Sequence, residues 1–445
     1  MSTLPSGGYA PQYRPFSRRH ANMSHRPHIL FLSQCLPYPP QSGVTLRTFH
    51  ILEQLQAEFD VTLVAYARRG HQAGDAARRE AERMLARIVR RVSAPVPVPA
   101  EYSTLRRVFD HLRATVTRRP YTFYEYESDR FASQLRRLVQ NGAFDLIHLD
   151  SLDLYRWLSE LPPAPTTCTH HNIESELFRL QAQKVKSRLL GCYMAYQASL
   201  LEGVERQLCP RFAVNVMMSE TDAERLKSLA PESKTAVVPN GVDTTYFRPL
   251  DRIPAIAGRL VFVGATHTFP NRDAVEYLLR EIWPRVRRAH RQASLSLIGG
   301  GRDSDRARHA SQSGVTALGH VPDIRPHLAE ASCCIVPLRV GGGTRLKILD
   351  AWAMGKAIVS TSIGCEGLAA VDGENILIRD EANAFGDAVL QVLDDSELRC
   401  RLESNGRETA ARLYDWSVVG RSMRSEYWQV MNAHHGACTQ STPAS

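Results

Sequence analysis

The sequence predicts an α/β protein built of two doubly wound, Rossmann-like domains facing a central cleft, and three observations predict it. From residue 27 onward, short apolar runs alternate with longer helix-like stretches. The alternation stops in a loop-like stretch at residues 240–258 and then starts again. And 445 residues exceed what one hydrophobic core ordinarily organises, so two domains are expected.

In the first half, strands are expected at His28–Ser33, Val61–Tyr66, Phe144–Asp150, Thr166–His170, Ala213–Ser219 and Thr235–Pro239. Each is bounded by Pro, Gly, Asn or Asp, and several are continuously apolar, as strands covered on both faces tend to be. Helix-like stretches such as Leu46–Glu58 and Ala76–Arg91 lie between them, which is the rhythm of βαβ units. The second set reads Arg259–Gly264, Ala293–Gly299, Val315–Gly319, Ser332–Pro337, Ala357–Thr361 and Ile376–Ile378. Asn240-Gly-Val-Asp243, followed by Pro249, Pro254 and Gly258, makes the boundary between them. The expected domains are therefore 26–240 and 241–414. Asp415–Met431 is amphipathic and rich in aromatics, and residues 415–432 are read as a final helix crossing back to the first domain. Residues 1–25, polar and basic without an apolar stretch suited to a signal peptide, are read as a disordered arm, and 433–445 as a disordered tail. Two open α/β domains in tandem place a ligand cleft at the carboxyl ends of their strands.

No apolar run approaches the roughly 18 residues that a membrane-spanning helix needs. The nine cysteines are scattered, form no CxxC pair, and include Cys333-Cys334 inside an apolar run. Reduced, mostly buried thiols and a cytoplasmic setting follow as the expectation. The net charge of +9 is carried mainly by arginine, much of it between Arg78 and Arg119. Such a surface suits nucleic acid, anionic lipid or a phosphorylated substrate, although solvated helix faces account for most individual arginines.

The most informative segment runs from Pro337 to Lys356. Gly341, Gly342 and Gly343 let backbone N–H groups come close to a ligand, and the helix expected from about Thr344 turns its positive end to the same spot. Arg345 and Lys347 add full charges, so a diphosphate is the expected guest. Asp350, one and a half turns into that helix, is placed to accept hydrogen bonds from sugar or ribose hydroxyls. Asp303-Ser304-Asp305 has the form of a metal-binding pair, but in a Gly-rich, Arg-flanked loop (Gly299–Arg308) it reads as a solvated turn, and no required metal is expected.

From Arg26 to about Trp428 the chain resembles the group-1, family-4-like retaining glycosyltransferases of the GT-B fold. It is most similar among them to the sugar transferases of exosortase-linked (PEP-CTERM-type) exopolysaccharide systems. The matching residues are Pro37-Tyr-Pro-Pro-Gln-Ser-Gly43, His171-Asn-Ile-Glu-Ser175, Pro239-Asn-Gly-Val-Asp243, Phe262-Val-Gly264 with Pro270-Asn271, Gly319-His-Val-Pro-Asp323 and Gly341–Gly355. The resemblance implies an N-terminal acceptor domain and a C-terminal nucleotide-sugar donor domain. It implies transfer of a hexosyl-type sugar with retention of configuration to a glycan or lipid-linked acceptor. His171 and Asp350 would be catalytic; Gly43, Gly342, Gly343, Thr344, Arg345, Lys347 and Asp350 would bind the donor. The family carries two glutamates eight positions apart, and here those positions are Gly342 and Asp350. It also commonly places an Arg and a Lys after the Phe-Val-Gly strand, where this chain reads Ala265-Thr-His-Thr-Phe-Pro-Asn271, which leaves Arg345 and Lys347 to neutralise the diphosphate.

Read from the residues alone, Pro39, Pro40 and Gly43 say only that the turn is rigid. His171 follows the Thr166–His170 strand on the cleft side, where it would hydrogen-bond the sugar or cap the strand; His170 should point the other way. Glu174 would steady that loop. The segment Gln183–Glu205 reads as a long amphipathic helix, either packed on its domain or resting on an anionic membrane beside a lipid-linked acceptor. The partners expected are thus a nucleotide-sugar donor, a glycan or lipid-linked acceptor and peripheral contact with an anionic membrane, with no nucleic acid and no cofactor beyond the co-substrate. Two other readings stay open: a catalytically silent nucleotide-sugar-binding partner of a polysaccharide assembly complex, motivated by Gly342, and a nucleotide-sugar epimerase. A nicotinamide dehydrogenase is disfavoured, because the first strand ends in Ser33-Gln-Cys-Leu-Pro37 without GxGxxG.

Overall fold

The structure is a computed structural model that describes residues 26–440 apart from 73, 186 and 342–344. The chain divides into two compact units. Among the described residues, one runs Asn240–Val419; the other comprises Arg26–Pro239 together with the C-terminal stretch from Gly420.

The N-terminal unit holds eight strands: β1 (His28–Ser33), β2 (Asp60–Ala67), β3 (Arg91–Val92), β4 (Val96–Pro97), β5 (Leu146–Leu149), β6 (Thr166–His170), β7 (Val214–Met217) and β8 (Thr235–Val237). They are ordered β3-β2-β1-β5-β6-β7-β8, with β4 also paired to β2, and every pairing is parallel. The order reverses beside β1, so the ends of β1 and β5 flank a topological switch point, where such sheets place their ligands. Ile29–Leu32 and Val61–Ala67 are buried throughout, as helices on both faces require. The C-terminal unit holds β9 (Arg259–Val263), β10 (Ser294–Ile298), β11 (Val315–Gly319), β12 (Cys333–Val336), β13 (Ile358–Ser360) and β14 (Leu377–Ile378). Their order is β11-β10-β9-β12-β13-β14, again all parallel, with the reversal beside β9. Both sheets are the α/β, Rossmann-like kind that the sequence predicts.

The final helix, Trp416–Gln440, runs on past 432, where the sequence reading began a disordered tail. Its aromatic residues anchor it. Tyr427 is buried with its ring 5.9 Å from Phe59 and 5.7 Å from His148, while Arg424 Nε and Trp428 Nε1 each donate to the Glu58 carboxylate at 2.7 Å. The segment Gln183–Glu205 is not one helix. Glu174–Lys184 and Arg188–Leu208 are separate, and Ser187 caps the second through its hydroxyl, which accepts from Leu190 N at 3.4 Å. The Asp303–Asp305 stretch is not a loop either. It opens the helix Asp303–Ala310, where its carboxylates face the positive helix end and pair with Arg302, Arg306 and Arg308. Among the described cysteines, Cys35, Cys168, Cys209, Cys333, Cys334 and Cys365 are buried free thiols.

Candidate functional site

In the C-terminal unit, the first candidate lies at the carboxyl ends of β9, β10 and β11. Gly264 follows β9, Gly299 follows β10, and Gly319 ends β11. Gly299 adopts φ +141°, and a Cβ built on it would stand 2.3 Å from the Gly264 carbonyl oxygen, so only glycine allows the two strand ends to approach this closely. A recess of about 330 Å³, open solvent at its mouth included, is lined by Gly264, Thr266, Gly299, Gly301, Arg306 and His309 over an apolar floor. His309 is buried, and that burial lowers its pKa.

Lys347 reaches the same corner from the helix Leu346–Ala353. Its ammonium donates to Asn271 Oδ1 at 2.8 Å, lies 4.6 Å from the Phe262 ring centroid, and would be 2.9 Å from a Cβ on Gly264. Among the described residues no carboxylate pairs with it. Burial, then the charge of Arg345, lowers its pKa to about 7. Asn271 is itself held by a bond from Nδ2 to the Ala265 carbonyl at 3.0 Å, so the turn after β9 positions the lysine in place of supplying a cation of its own.

The helix begins two residues later than about Thr344. Arg345 occupies its N-cap, and among the described residues no side chain caps it. Its first N–H groups therefore remain available to an anion. Arg345 is 6% exposed and donates to carbonyls, through Nε and Nη2 to Ile363 at 3.1 and 2.9 Å and through Nη2 to Gly341 at 3.0 Å, while Nη2 also lies 3.9 Å from the Glu366 carboxylate. It ties the glycine-rich turn to the short helix Ser362–Cys365. Gly342, Gly343 and Thr344 lie outside the described residues. Asp350, three residues after Lys347, shares its face of the helix. Its carboxyl is half-buried, has no hydrogen-bond partner among the described residues, and is pushed up to about 8 by burial.

In the N-terminal unit, the ends of β1, β5 and β6 bring together residues far apart in sequence. Asp150 is buried, and its Oδ2 accepts from Ser33 Oγ at 2.9 Å and Thr48 Oγ1 at 2.7 Å. His171 Nε2 lies 3.7 Å from Asp150 Oδ1, beyond hydrogen-bond reach, and is buried without a partner among the described residues. Burial would raise the Asp150 pKa, but His171, His148 and the Thr48 hydroxyl outweigh it and hold the carboxyl below its usual range. The two neighbouring histidines differ as strand alternation requires. His170 is bonded through Nε2 to Asn215 Oδ1 at 2.9 Å, and burial lowers its pKa to about 4. Gly43 is exposed at the first position of the helix Gly43–Leu55, whose N-terminus is closed by a reciprocal Ser42–Thr45 capping box. Asp150 was not singled out in the sequence; its only signal there is a carboxylate at the end of an apolar run.

Comparison with known proteins places sequence matches in both units. Residues 41–246 match the model described as Glycosyltransferase Family 4, and residues 257–395 match Glycosyl transferases group 1. The lipopolysaccharide core biosynthesis glycosyltransferase LpsE of Rhizobium meliloti is 30% identical over 203 residues, which cover 42% of this chain and 56%, somewhat over half, of LpsE. Two solved structures share the fold at lower identity. Sucrose-phosphate synthase from Thermosynechococcus elongatus superposes with a TM-score of 0.66 at 18% identity, covering 92% of this chain and all of that one. HepE from Anabaena, solved in complex with UDP and glucose, gives a TM-score of 0.60 at 13% identity, covering 89% and 98%. The fold is that of the GT-B glycosyltransferases.

Proposed function

We propose that this chain, a group-1, family-4-like glycosyltransferase by the matches in both of its halves, moves a hexosyl-type sugar from a nucleotide diphosphate to a glycan or lipid-linked acceptor. Configuration is retained, the donor requires no metal, and the product enters an exopolysaccharide. The observation that carries the donor half is Lys347: a half-buried ammonium without a carboxylate partner among the described residues, in the first turn of a helix that no described side chain caps, and against the glycine that follows β9.

The diphosphate lies at that helix end, with Gly342, Gly343 and Thr344 supplying N–H groups and Lys347 the charge. Negative charge builds on the departing phosphate as the glycosidic bond to it breaks, and donors fixed beforehand stabilise it without reorganising. Arg345 contributes its field while holding the turn through Gly341 and Ile363. Asp350 hydrogen-bonds a hydroxyl of the donor; with its pKa near 8 it is a neutral acid at pH 7, able both to donate and to accept. In the N-terminal unit Gly43 lines the donor side, and His171 Nε2, which has no hydrogen-bond partner among the described residues, bonds the transferred sugar with the Asp150 carboxylate 3.7 Å away. The acceptor hydroxyl attacks from the face the phosphate leaves, and its proton passes to the leaving phosphate. HepE was solved with UDP and glucose, which supports a nucleotide sugar as donor, and LpsE is named as a lipopolysaccharide core biosynthesis glycosyltransferase, which supports a glycan as product. The protein is proposed to work in the cytoplasm, peripherally at an anionic membrane.

The test is a thermal-shift screen of UDP-, GDP- and ADP-sugars, since a ligand that binds only the folded state raises its stability. One donor class should raise Tm in the wild type and lose that effect in Arg345→Ala/Lys347→Ala. An unchanged donor affinity in the double variant removes the phosphate assignment. Gly342, at a family carboxylate position, favours a second reading as a silent nucleotide-sugar-binding partner. Donor binding with neither transfer nor hydrolysis across an acceptor panel would select it.

A further inference from the structure

The N-terminal unit carries an apolar stripe that its own core does not use. The helix Thr104–Thr117 buries only Asp110 and Ala114. Leu105, Val108, Phe109, Leu112 and Val116 recur at helical spacing on the opposite side, within an arc of about 100°. They are 84, 52, 58, 61 and 83% exposed. The helix is held from its polar side: Arg106 Nε bonds Asp110 Oδ1 at 2.7 Å, and Arg106 and Arg113 both pair with Glu127. Nothing in that anchoring needs large apolar side chains in water, and contiguous exposed apolar patches mark interaction surfaces.

The helix Arg188–Leu208 lies alongside, joined through His111 Nδ1 and the Tyr193 hydroxyl at 2.7 Å and through the Tyr196 hydroxyl donating to Thr115 O at 3.4 Å. Its first turn exposes Leu189 and Leu190 at 85 and 48%. Arg118, at the C-cap of the first helix, and Arg188, in the first turn of the second, are exposed, and among the described residues neither pairs with a carboxylate.

We infer that this face docks on an anionic lipid bilayer, with the Leu105–Val116 stripe entering the boundary between headgroups and acyl chains and Arg118 and Arg188, at the helix ends, meeting lipid phosphates. The contact rests on no part of the donor chemistry, and it deepens the peripheral location proposed above by naming the surface. The sequence leaves Gln183–Glu205 either packed on its domain or resting on a membrane; in the structure most of the exposed apolar side chains lie on the helix Thr104–Thr117 instead. Two features favour a membrane over a protein. Leu105 and Val116 are more than four-fifths exposed, and basic side chains stand at the ends of the face at Arg118 and Arg188, the combination that anionic lipid attracts. A second copy of the chain would bring the same unpaired arginines face to face.

The test is co-sedimentation of the full chain, without donor, with vesicles of phosphatidylcholine alone and with added phosphatidylglycerol. The wild type should bind the anionic vesicles, less so as salt rises. Leu105→Asp/Val116→Asp should abolish binding, and Arg118→Asn/Arg188→Ala should weaken it about ten-fold or more. Both apolar positions are more than four-fifths exposed, so the variant should melt as the wild type does and keep its turnover of a soluble acceptor. Failure of the wild type to bind anionic vesicles overturns the inference, as does equal binding by the Leu105→Asp/Val116→Asp variant. A concentration-dependent dimer dissolved by the same two substitutions would assign the face to a second copy instead. Loss of vesicle binding with transfer intact separates this surface from the transferase reading.

Discussion

His171 Nε2 and Asp150 Oδ1 stand 3.7 Å apart, close enough for charge to be felt and too far for a hydrogen bond. Asp150 is meanwhile fixed through its other oxygen by Ser33 and Thr48. The pair thus combines a rigid carboxylate with a ring nitrogen left for a substrate. Asp150→Asn keeps the shape and removes the charge. It should lower kcat by about ten- to a hundred-fold while leaving donor KM nearly unchanged, since the effect falls on the step at His171. Unchanged kcat would remove Asp150 from the reaction. The sign on stability also follows. The folded Asp150 pKa is depressed, so its contribution is present above the unfolded carboxylate value and is lost as pH falls through the folded one. Acid melts should show a shallower loss of Tm for the asparagine variant.

Lys347, with its pKa near 7, makes donor binding pH-dependent. The diphosphate prefers the ammonium form, so calorimetric affinity should fall as pH rises from about 6 to 9. Lys347→Ala should bind at least about ten-fold more weakly at pH 6 and show a flatter profile. For folding the sign is opposite. Between about pH 7 and the unfolded lysine value the unfolded chain holds the extra proton, so wild-type stability rises with pH across that window relative to Lys347→Met.

Much of the fold was legible because its signals are local. Thr166–His170 and Val315–Gly319 are β6 and β11 to the residue, each an apolar or β-branched run bounded by residues that stop a strand. β3 and β4 are two residues long and offer no period to read. The break between the helices Glu174–Lys184 and Arg188–Leu208 contains neither Gly nor Pro, so the apolar spacing reads straight through it. The candidate site divides the same way. Lys347 and Asp350 stand out because one short segment concentrates their chemistry. Asp150 meets Ser33 across 117 residues, and that meeting exists only after the sheet has formed. Arg345 donates twice to the backbone carbonyl of Ile363, 18 residues on, a partner that no side-chain motif announces.

Asp350 should behave as a neutral acid at pH 7, because burial holds its pKa near 8. Asp350→Asn then preserves the uncharged state and one donor, so donor affinity at pH 7 should change by less than about three-fold, whereas Asp350→Ala should lose about ten-fold, the worth of a hydrogen bond to a ligand hydroxyl. Above pH 8 the wild-type carboxylate repels the diphosphate and the asparagine variant does not, so their binding curves should separate there. The stability sign runs with it. A raised folded pKa means that stability is lost as pH rises from the unfolded carboxylate value toward 8, and Asp350→Asn should melt higher than wild type at pH 8. Equal melting points and parallel binding curves would return Asp350 to an ordinary ionised carboxylate.

Gly299 and Gly300 offer a paired test of the strand-end geometry. Gly299 donates its N–H to the Gly319 carbonyl at 2.7 Å and sits at φ +141° with the Gly264 carbonyl where a side chain would go. Gly300 has open space at the same point. Gly299→Ala must therefore either strain the backbone or push β9 and β10 apart, at a cost of about 2–4 kcal/mol. Displacing Gly264 also shifts the wall against which the Lys347 ammonium rests, so donor affinity should fall together with stability. Gly300→Ala should change Tm by no more than about a degree or two and leave donor binding intact. If the two alanines behave alike in calorimetric melting and in donor titration, the close approach of the β9 and β10 ends does not shape the donor site.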